Sequence, residues 1–394
     1  MIPRTKVNYR MSDLMHACLV EENDNRWRQA LAHRLGGMFD TSQLLLTASG
    51  RGALYVLLSS LPQRRLLVPA YTCKAVVEAA HLAGKEVLFG ESEVNGFNMS
   101  MDSLDGLLDT DTILLATHQF GIPCDIRAMI RHARAAGAFV IEDAAASLGS
   151  RVEGQLTGTF GDAAFFSFDS TKLVNVPLKA GFLRVSDPEV FARCQAFMAS
   201  TATPMPRLRK LRYLLMGAIL VTLEQPVLYR LFHNLKFHWR GRFTDDSADF
   251  KPNLGPFYLD CLAEWQANLL LPQIERLDHI IATRRRWYAE YLRRLQDTAI
   301  IEFPPADIYA EWAPIRFPIR IYRDKLAFYR QATRLGVDFA FSFTFIASPP
   351  EFVRSHQLAT SVLNLPFYDR LTDKEFERVV DVLRELDRTI LAGV

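Results

Sequence analysis

The sequence predicts an α/β protein in two parts: a large domain over residues 1–256 with a mostly parallel sheet between helical layers, and a smaller α+β domain over 257–394. Two patterns carry that expectation. Between residues 44 and 185 short apolar runs alternate with helical segments, and such a rhythm needs crossover helices that cover both faces of a parallel sheet. From about residue 257 it gives way to one long amphipathic stretch and then to mixed elements. With 394 residues, 49% of them hydrophobic and 23% charged, the chain has material for two cores. A formal net charge of +2 gives no dominant nucleic-acid surface. Cys18, Cys73, Cys124, Cys194 and Cys261 form no CxxC pair, so neither a structural zinc site nor a disulfide framework is signalled. The opening MIPRTKVNYRMSD lacks the apolar run of a secretory signal, which leads to the expectation of a cytoplasmic protein.

In chain order, residues 11–38 carry helical spacing through Leu14, Cys18, Trp27, Leu31 and Leu35, with Gly36 and Gly37 expected to end the helix. LLLTASGRGALYVLLSSL at 44–61 reads as a strand, then Ser49-Gly50-Arg51-Gly52, then an apolar helix. That helix start either binds an anion through free backbone N–H groups or is an ordinary glycine-containing entry. No GxGxxG with a following ribose-binding acid appears, so a nicotinamide dinucleotide has little support. RLLVPAY (65–71), KEVLFGES (85–92), TILLATH (112–118) and AFVIEDAAA (138–146) follow as strands, with helices over 74–83 and 125–136 between them. Ligands collect beyond the carboxyl ends of such strands. His118, Glu142, Asp143, Ser167 and Lys172 all fall at or near those ends.

The phrase AAFFSFDSTKLVNVPLKAGFLRV at 163–185 places Lys172 in a polar run between two strands. A lysine there either snorkels to water or has its ammonium disfavoured by burial, which suits an amine that condenses with a carbonyl, as in pyridoxal 5'-phosphate chemistry. Asp143 stands directly after FVIE, where a carboxylate is costly without a partner. It either pairs with a protonated ring nitrogen or caps the segment that follows. His118 either covers a bound ring or directs a substrate, or is a satisfied core histidine. Ser167 either donates to a phosphate or is a tolerated strand serine.

Residues 196–256 are a helical excursion. Arg207, Arg209, Lys210 and Arg212 precede the apolar stretch Leu211–Phe232, and Lys236, His238, Arg240 and Arg242 follow it. Glu224, Pro226 and Arg230 interrupt that stretch too often for a membrane span. Either two packed helices end in solvated basic turns, or the excursion covers the site and meets diphosphate, lipid headgroups or an acyl substrate, its apolar centre taking these or the other subunit, with weak peripheral membrane contact as one outcome. A long helix is expected over 260–296, then WAPIRFPIRI, a helix near 323–335 and a closing helix over 372–391.

Taken together, these phrases resemble the DegT/StrS sugar aminotransferases, within the fold-type I enzymes of pyridoxal 5'-phosphate (PLP). The resemblance runs from Ser49-Gly50 through VPAYTCKAVVEAAHLAGKEVLF, the HxxG of His118-Gln119-Phe120-Gly121, EDAAASLGS at 142–150 and GDAAFFSFDSTK to Lys172, and ends in VLNLPFYDRLTDKEFERVVDVL at 362–383. It implies a seven-stranded large domain, Lys172 as the covalent anchor of PLP and proton carrier, and Asp143 on its ring nitrogen. It also implies Ser49, Gly50, Arg51 and Ser167 around its phosphate, with His118 among the catalytic residues. The amino group would pass from glutamate or glutamine to a nucleotide-linked ketosugar, for surface polysaccharide or secondary metabolite synthesis. A homodimer sharing its sites would do the work.

Several positions depart from the family pattern. Cys73 takes the place of a ring-stacking aromatic, with Tyr71 as a substitute two residues earlier. Ala146 replaces a glutamine, and the run after the lysine is reduced to VPLKAG. The family's Asn-Tyr-Arg-Met phrase, whose asparagine reaches the neighbouring subunit's phosphate, is replaced by Leu259-Asp260-Cys261-Leu262. A similar string, Asn8-Tyr9-Arg10-Met11, occurs far from its usual order and reads as coincidence. These departures keep two alternatives open: a PLP-dependent transferase or eliminase with another substrate, and a non-catalytic scaffold retaining the fold.

Overall fold

Seven strands form the central sheet of the computed structural model, which describes residues 1–240, 255–299, 301–302, 311–321, 324–344 and 346–392. They are β1 (Leu44–Thr47), β2 (Arg65–Pro69), β3 (Glu86–Gly90), β4 (Thr112–Thr117), β5 (Phe139–Asp143), β6 (Ala163–Ser167) and β7 (Gly181–Val185). The order across the sheet is β1-β7-β6-β5-β4-β2-β3, and only β7 runs against the others. All six residues of β4 are buried, as a strand covered on both faces requires. Ile113 and Leu115 point into one core while Leu114 and Ala116 point into another. The expected mostly parallel α/β sheet is therefore the observed one.

The helices, in chain order, are α1 (Met11–Cys18), α2 (Arg26–Phe39), α3 (Gly50–Ser59), α4 (Lys74–Leu82), α5 (Ile126–Ala136), α6 (Pro188–Thr201), α7 (Arg207–Thr222), α8 (Pro226–Arg240), α9 (Pro256–Leu259), α10 (Glu264–Glu275), α11 (Leu277–Leu295), α12 (Lys325–Arg334), α13 (Val353–Ser361) and α14 (Asp373–Ala392). Side chains of α3, α4 and α6 share one core with the sheet. On the other face, α1, α2, α7, α10 and the start of α11 share a second with β6 and β7. A smaller antiparallel sheet joins β8 (Ile301–Glu302), β9 (Pro318–Ile321), β10 (Ala340–Phe341) and β11 (Val362–Asn364) in the order β8-β9-β11-β10. Its core takes side chains from α11, α12 and α14, and also Ile2 from the start of the chain.

Three helix boundaries differ from the sequence expectation, each for a local reason. The helix expected over 11–38 is two helices, because the Glu21–Asn25 run breaks it and Asn25 adopts a left-handed backbone. Gly36 and Gly37 do not end α2. It runs on to Phe39, and Asp40 closes it in the left-handed region with its N–H on Gly36 O. The long helix over 260–296 divides at Arg276, four residues after Pro272 inside α10. Arg242 and the side chains of Lys236, His238 and Arg240 lie outside the described residues. Among the described residues no single helix is long and apolar enough to cross a membrane, and α7 and α8 meet at a 114° bend.

Candidate active site

A pocket of about 270 Å³ opens over the carboxyl ends of β4, β5 and β6 and the start of α3. Ser49, Gly50, Arg51, Cys73, His118, Asp143, Ser167 and Lys172 all line it. Tyr71 does not. Its ring is fully buried beside Phe120 and Phe343, with its hydroxyl donating to Ser342 O at 3.2 Å, so it is part of the wall behind the site.

The helix start is built to leave two amides available. Ser49 caps α3, its Oγ accepting from Gly52 N at 2.9 Å and donating to Phe257 O at 2.5 Å, which consumes the hydroxyl expected at a phosphate. The amides of Gly50 and Arg51 have no partner among the described residues. Only the backbone of Arg51 is offered, since its guanidinium pairs with Glu78 at 3.3 Å. Close approach is bought with glycine on both sides. A Cβ on Gly50 would lie 2.9 Å from Ser167 Cβ, and one on Gly181 would lie 2.5 Å from Gly50 N. The shortened run VPLKAG thus keeps the one glycine that the helix entry rests on.

Asp143 ends β5, buried, with one oxygen accepting from Ala145 N at 3.1 Å and no other hydrogen bond among the described residues. Burial raises its carboxyl above the ordinary range, while Lys172, the Ala145 amide and His118 oppose the shift. Lys172 projects from a loop between β6 and β7. Burial pulls its ammonium below the ordinary lysine value, Asp143 and Asp169 work against that, and Arg316 works with it. A cationic partner for Asp143 and a carbonyl for Lys172 would relieve both. Two free amides with the Ser167 hydroxyl suit a phosphate. The residues present therefore fit PLP.

His118 is held on both ring nitrogens. Nε2 lies 3.1 Å from Glu142 Oε2, and Nδ1 accepts the Cys124 amide at 3.2 Å. Burial alone would lower the ring's pKa, but Cys124 and Glu142 outweigh it and raise it above the ordinary histidine value, to about 10. The histidine can offer the pocket a ring face rather than a base. Glu142 also accepts from Gly158, Phe160 and Gly161 amides at 2.7, 2.7 and 2.8 Å. Its carboxylate is thus a structural tie. Glu142→Gln should lower stability by about 3 kcal/mol, because one oxygen becomes a donor facing donors. Denaturant unfolding measures this, and an unchanged midpoint would refute it.

Sequence reading missed several contributors. Asp169 is half-buried, and desolvation alone favours its neutral acid, yet its pair with Lys179 at 2.6 Å and its nearness to Lys172 hold it below the ordinary range. Arg316 enters from the small-sheet side of the chain and makes no hydrogen bond or ion pair among the described residues. Burial, with Arg4 adding to it and Asp169 opposing, brings its pKa down to about 10. The lysine loop is clamped from afar. Asn175 accepts the Asn8 amide at 3.1 Å and donates to Lys172 O at 2.9 Å, while its own backbone exchanges two hydrogen bonds with the Gln273 amide group at 3.0 and 2.9 Å. Asn8 Nδ2 donates to Leu173 O. The Asn8-Tyr9-Arg10-Met11 string therefore has a structural role in its own chain.

The architecture is that of the fold-type I PLP-dependent enzymes. The family model for the DegT/DnrJ/EryC1/StrS aminotransferases matches residues 25–218 and 220–384, and the chain belongs to that family of PLP-dependent enzymes. Among similar proteins is GDP-perosamine synthase of Escherichia coli O157:H7, 31% identical over 34% of this chain and 36% of that relative's length. Another is dTDP-4-dehydro-2,3,6-trideoxy-D-glucose 4-aminotransferase of Saccharopolyspora spinosa, 25% identical over 89% of this chain and 85% of that one. In fold, NtdA from Bacillus subtilis, solved with its cofactor PMP, aligns with a TM-score of 0.72 at 18% identity, covering 98% of this chain and 84% of that one.

Proposed function

We propose that the protein transfers an amino group from glutamate or glutamine to a keto group on a nucleotide-linked sugar, in surface polysaccharide or secondary metabolite synthesis. Family membership and the sugar-nucleotide names of the relatives above support the substrate class. The observation that carries the reading is the meeting of Lys172, Asp143 and the α3 helix start in one pocket. Bound PLP supplies an electron sink for the pair left behind when the donor's Cα–H bond breaks. Gly50 N, Arg51 N and the Ser167 hydroxyl hold the phosphate, and Asp143 keeps the ring nitrogen cationic. The Nζ of Lys172, lowered in basicity by burial, anchors the group and then takes up and returns the Cα proton. His118 covers the ring with its face. A homodimer in the cytoplasm, each pocket shared between two chains, belongs to the same reading.

Arg316 completes the donor side. A guanidinium that lines the pocket with no ion pair among the described residues suits the α-carboxylate of the donor. Arg316→Leu should raise the KM for glutamate or glutamine roughly 10- to 100-fold, the worth of about 1.5–3 kcal/mol for hydrogen bonds to a charged group, and leave the KM for the ketosugar within about twofold. Equal rises in both constants would remove the residue from this role. The whole reading is tested by incubating the enzyme with nitrogen-15 glutamate or glutamine and a panel of nucleotide ketosugars. Label is expected in the sugar. Loss of water from the sugar with all label kept in the donor would establish an eliminase instead.

A further inference from the structure

Twelve of the fourteen large apolar side chains exposed among the described residues lie on α7, on α8, or on α1 and its C-cap. On α7, Leu211, Leu215 and Ile219 follow one another at helical spacing, and on α8 Val227, Leu231 and Leu235 do the same. Helices α1 and α7 are neighbours, since a Cβ on Gly217 would lie 3.1 Å from Leu14 Cδ2. Met15 and Leu19, 65% and 81% exposed, thus extend the apolar surface beside α7. A surface of this kind is a docking face.

Charge selects what docks. Residues 207–240 contain Arg207, Arg209, Lys210, Arg212, Arg230, Lys236 and Arg240 against one acid, Glu224, in a chain whose net charge is +2. Arg209, Lys210 and Glu224 are already paired, with Asp260, Glu22 and Arg370. Arg207, Arg212 and Arg230 are exposed and have no ion pair among the described residues. A two-fold interface would set this cationic face against itself. An anionic lipid surface attracts it instead. Spanning is excluded by the anchorage of both helices: Tyr213, Leu214 and Gly217 are buried in the large core, and Tyr229 donates to Asp338.

We propose that α7 and α8, flanked by α1, form a monotopic docking surface that lies in the headgroup region of an anionic membrane with its leucines inserted and its arginines on the lipid phosphates. The docked face is the back of α7, whose buried side carries the close approach of Gly217 to Pro177, in the loop that bears Lys172. The proposal does not depend on which sugar is aminated.

Sedimentation of the PLP-loaded enzyme with vesicles of phosphatidylglycerol and phosphatidylethanolamine tests it, with phosphatidylcholine vesicles as control. The enzyme should pellet with the first and stay in solution with the second, and the bound fraction should fall as salt shortens the Debye length. The variant Leu211→Ser/Leu215→Ser/Leu231→Ser alters only exposed side chains. It should lose at least about tenfold in vesicle affinity, as should Arg207→Glu/Arg212→Glu, with the colour of the bound cofactor unchanged. Absence of pelleting by the wild type, or full pelleting by both variants, would overturn the proposal. So would conversion of a dimer to a monomer in the serine variant by light scattering, which would assign the face to a second copy of the chain.

Discussion

Lys172→Ala should abolish turnover, by roughly 10⁴-fold or more, because under the proposed function it removes both the covalent anchor and the group that carries the Cα proton. The variant should fold at least as well as the wild type. Burial already disfavours the ammonium, so its removal takes away a penalty rather than a contact. Circular dichroism and thermal unfolding should therefore be preserved while the visible absorbance of the lysine-bound cofactor disappears. Borohydride followed by peptide mapping gives an independent reading on the wild type. The adduct is expected on Lys172. Its appearance on Lys179, the other lysine lining the pocket, would move the anchor and overturn the assignment.

Asp143→Asn should leave cofactor bound through the helix start and the lysine, yet slow conversion to the amine form of the cofactor by roughly 10²- to 10³-fold. That corresponds to about 3–4 kcal/mol, within the scale of losing one partner of a buried charge pair. Asparagine keeps an oxygen for the Ala145 amide, so local structure is retained. The carboxyl of Asp143 is raised by burial when it faces the pocket alone. Its neutral replacement should therefore cost the empty protein little stability. A stopped-flow rate near that of the wild type with saturating glutamate would contradict the role of Asp143.

The parts of this site that were legible in the sequence are those whose meaning is local. Asp143 and Ser167 end apolar strands, and the Gly50 helix entry and Lys172 come within a few residues of one, and strand ends of a parallel sheet are where ligands gather. Tyr71 and Cys73 show the limit of that logic. Both follow β2, but Tyr71 turns into the wall while Cys73 reaches the pocket, and backbone direction after a strand is not written in residue type. Ser49, expected among the cofactor-binding residues, instead spends its hydroxyl on capping α3 and on Phe257 O, and a cap is invisible until the helix start is placed. Arg316 and Asn8 were out of reach for a different reason. Each acts on residues distant in sequence, and neither has a neighbour that declares its partner. The division of the 260–296 helix had a visible sign in Pro272, although the chain bends only at Arg276.

The clamp on the lysine loop gives the chain a built-in order of maturation. Leu173 and Asn175 are gripped by Asn8 from one end of the polypeptide and by Gln273 from well past its middle. During synthesis the seven-stranded sheet is complete once residue 185 has emerged. The Lys172 loop is not yet fixed at that stage, because α10 is still to be made. The loop that bears Lys172 thus gains its second clamp only after the whole sheet has been made. A polypeptide that stops before Gln273 carries every strand of the seven-stranded sheet and still lacks half of the grip on the Lys172 loop.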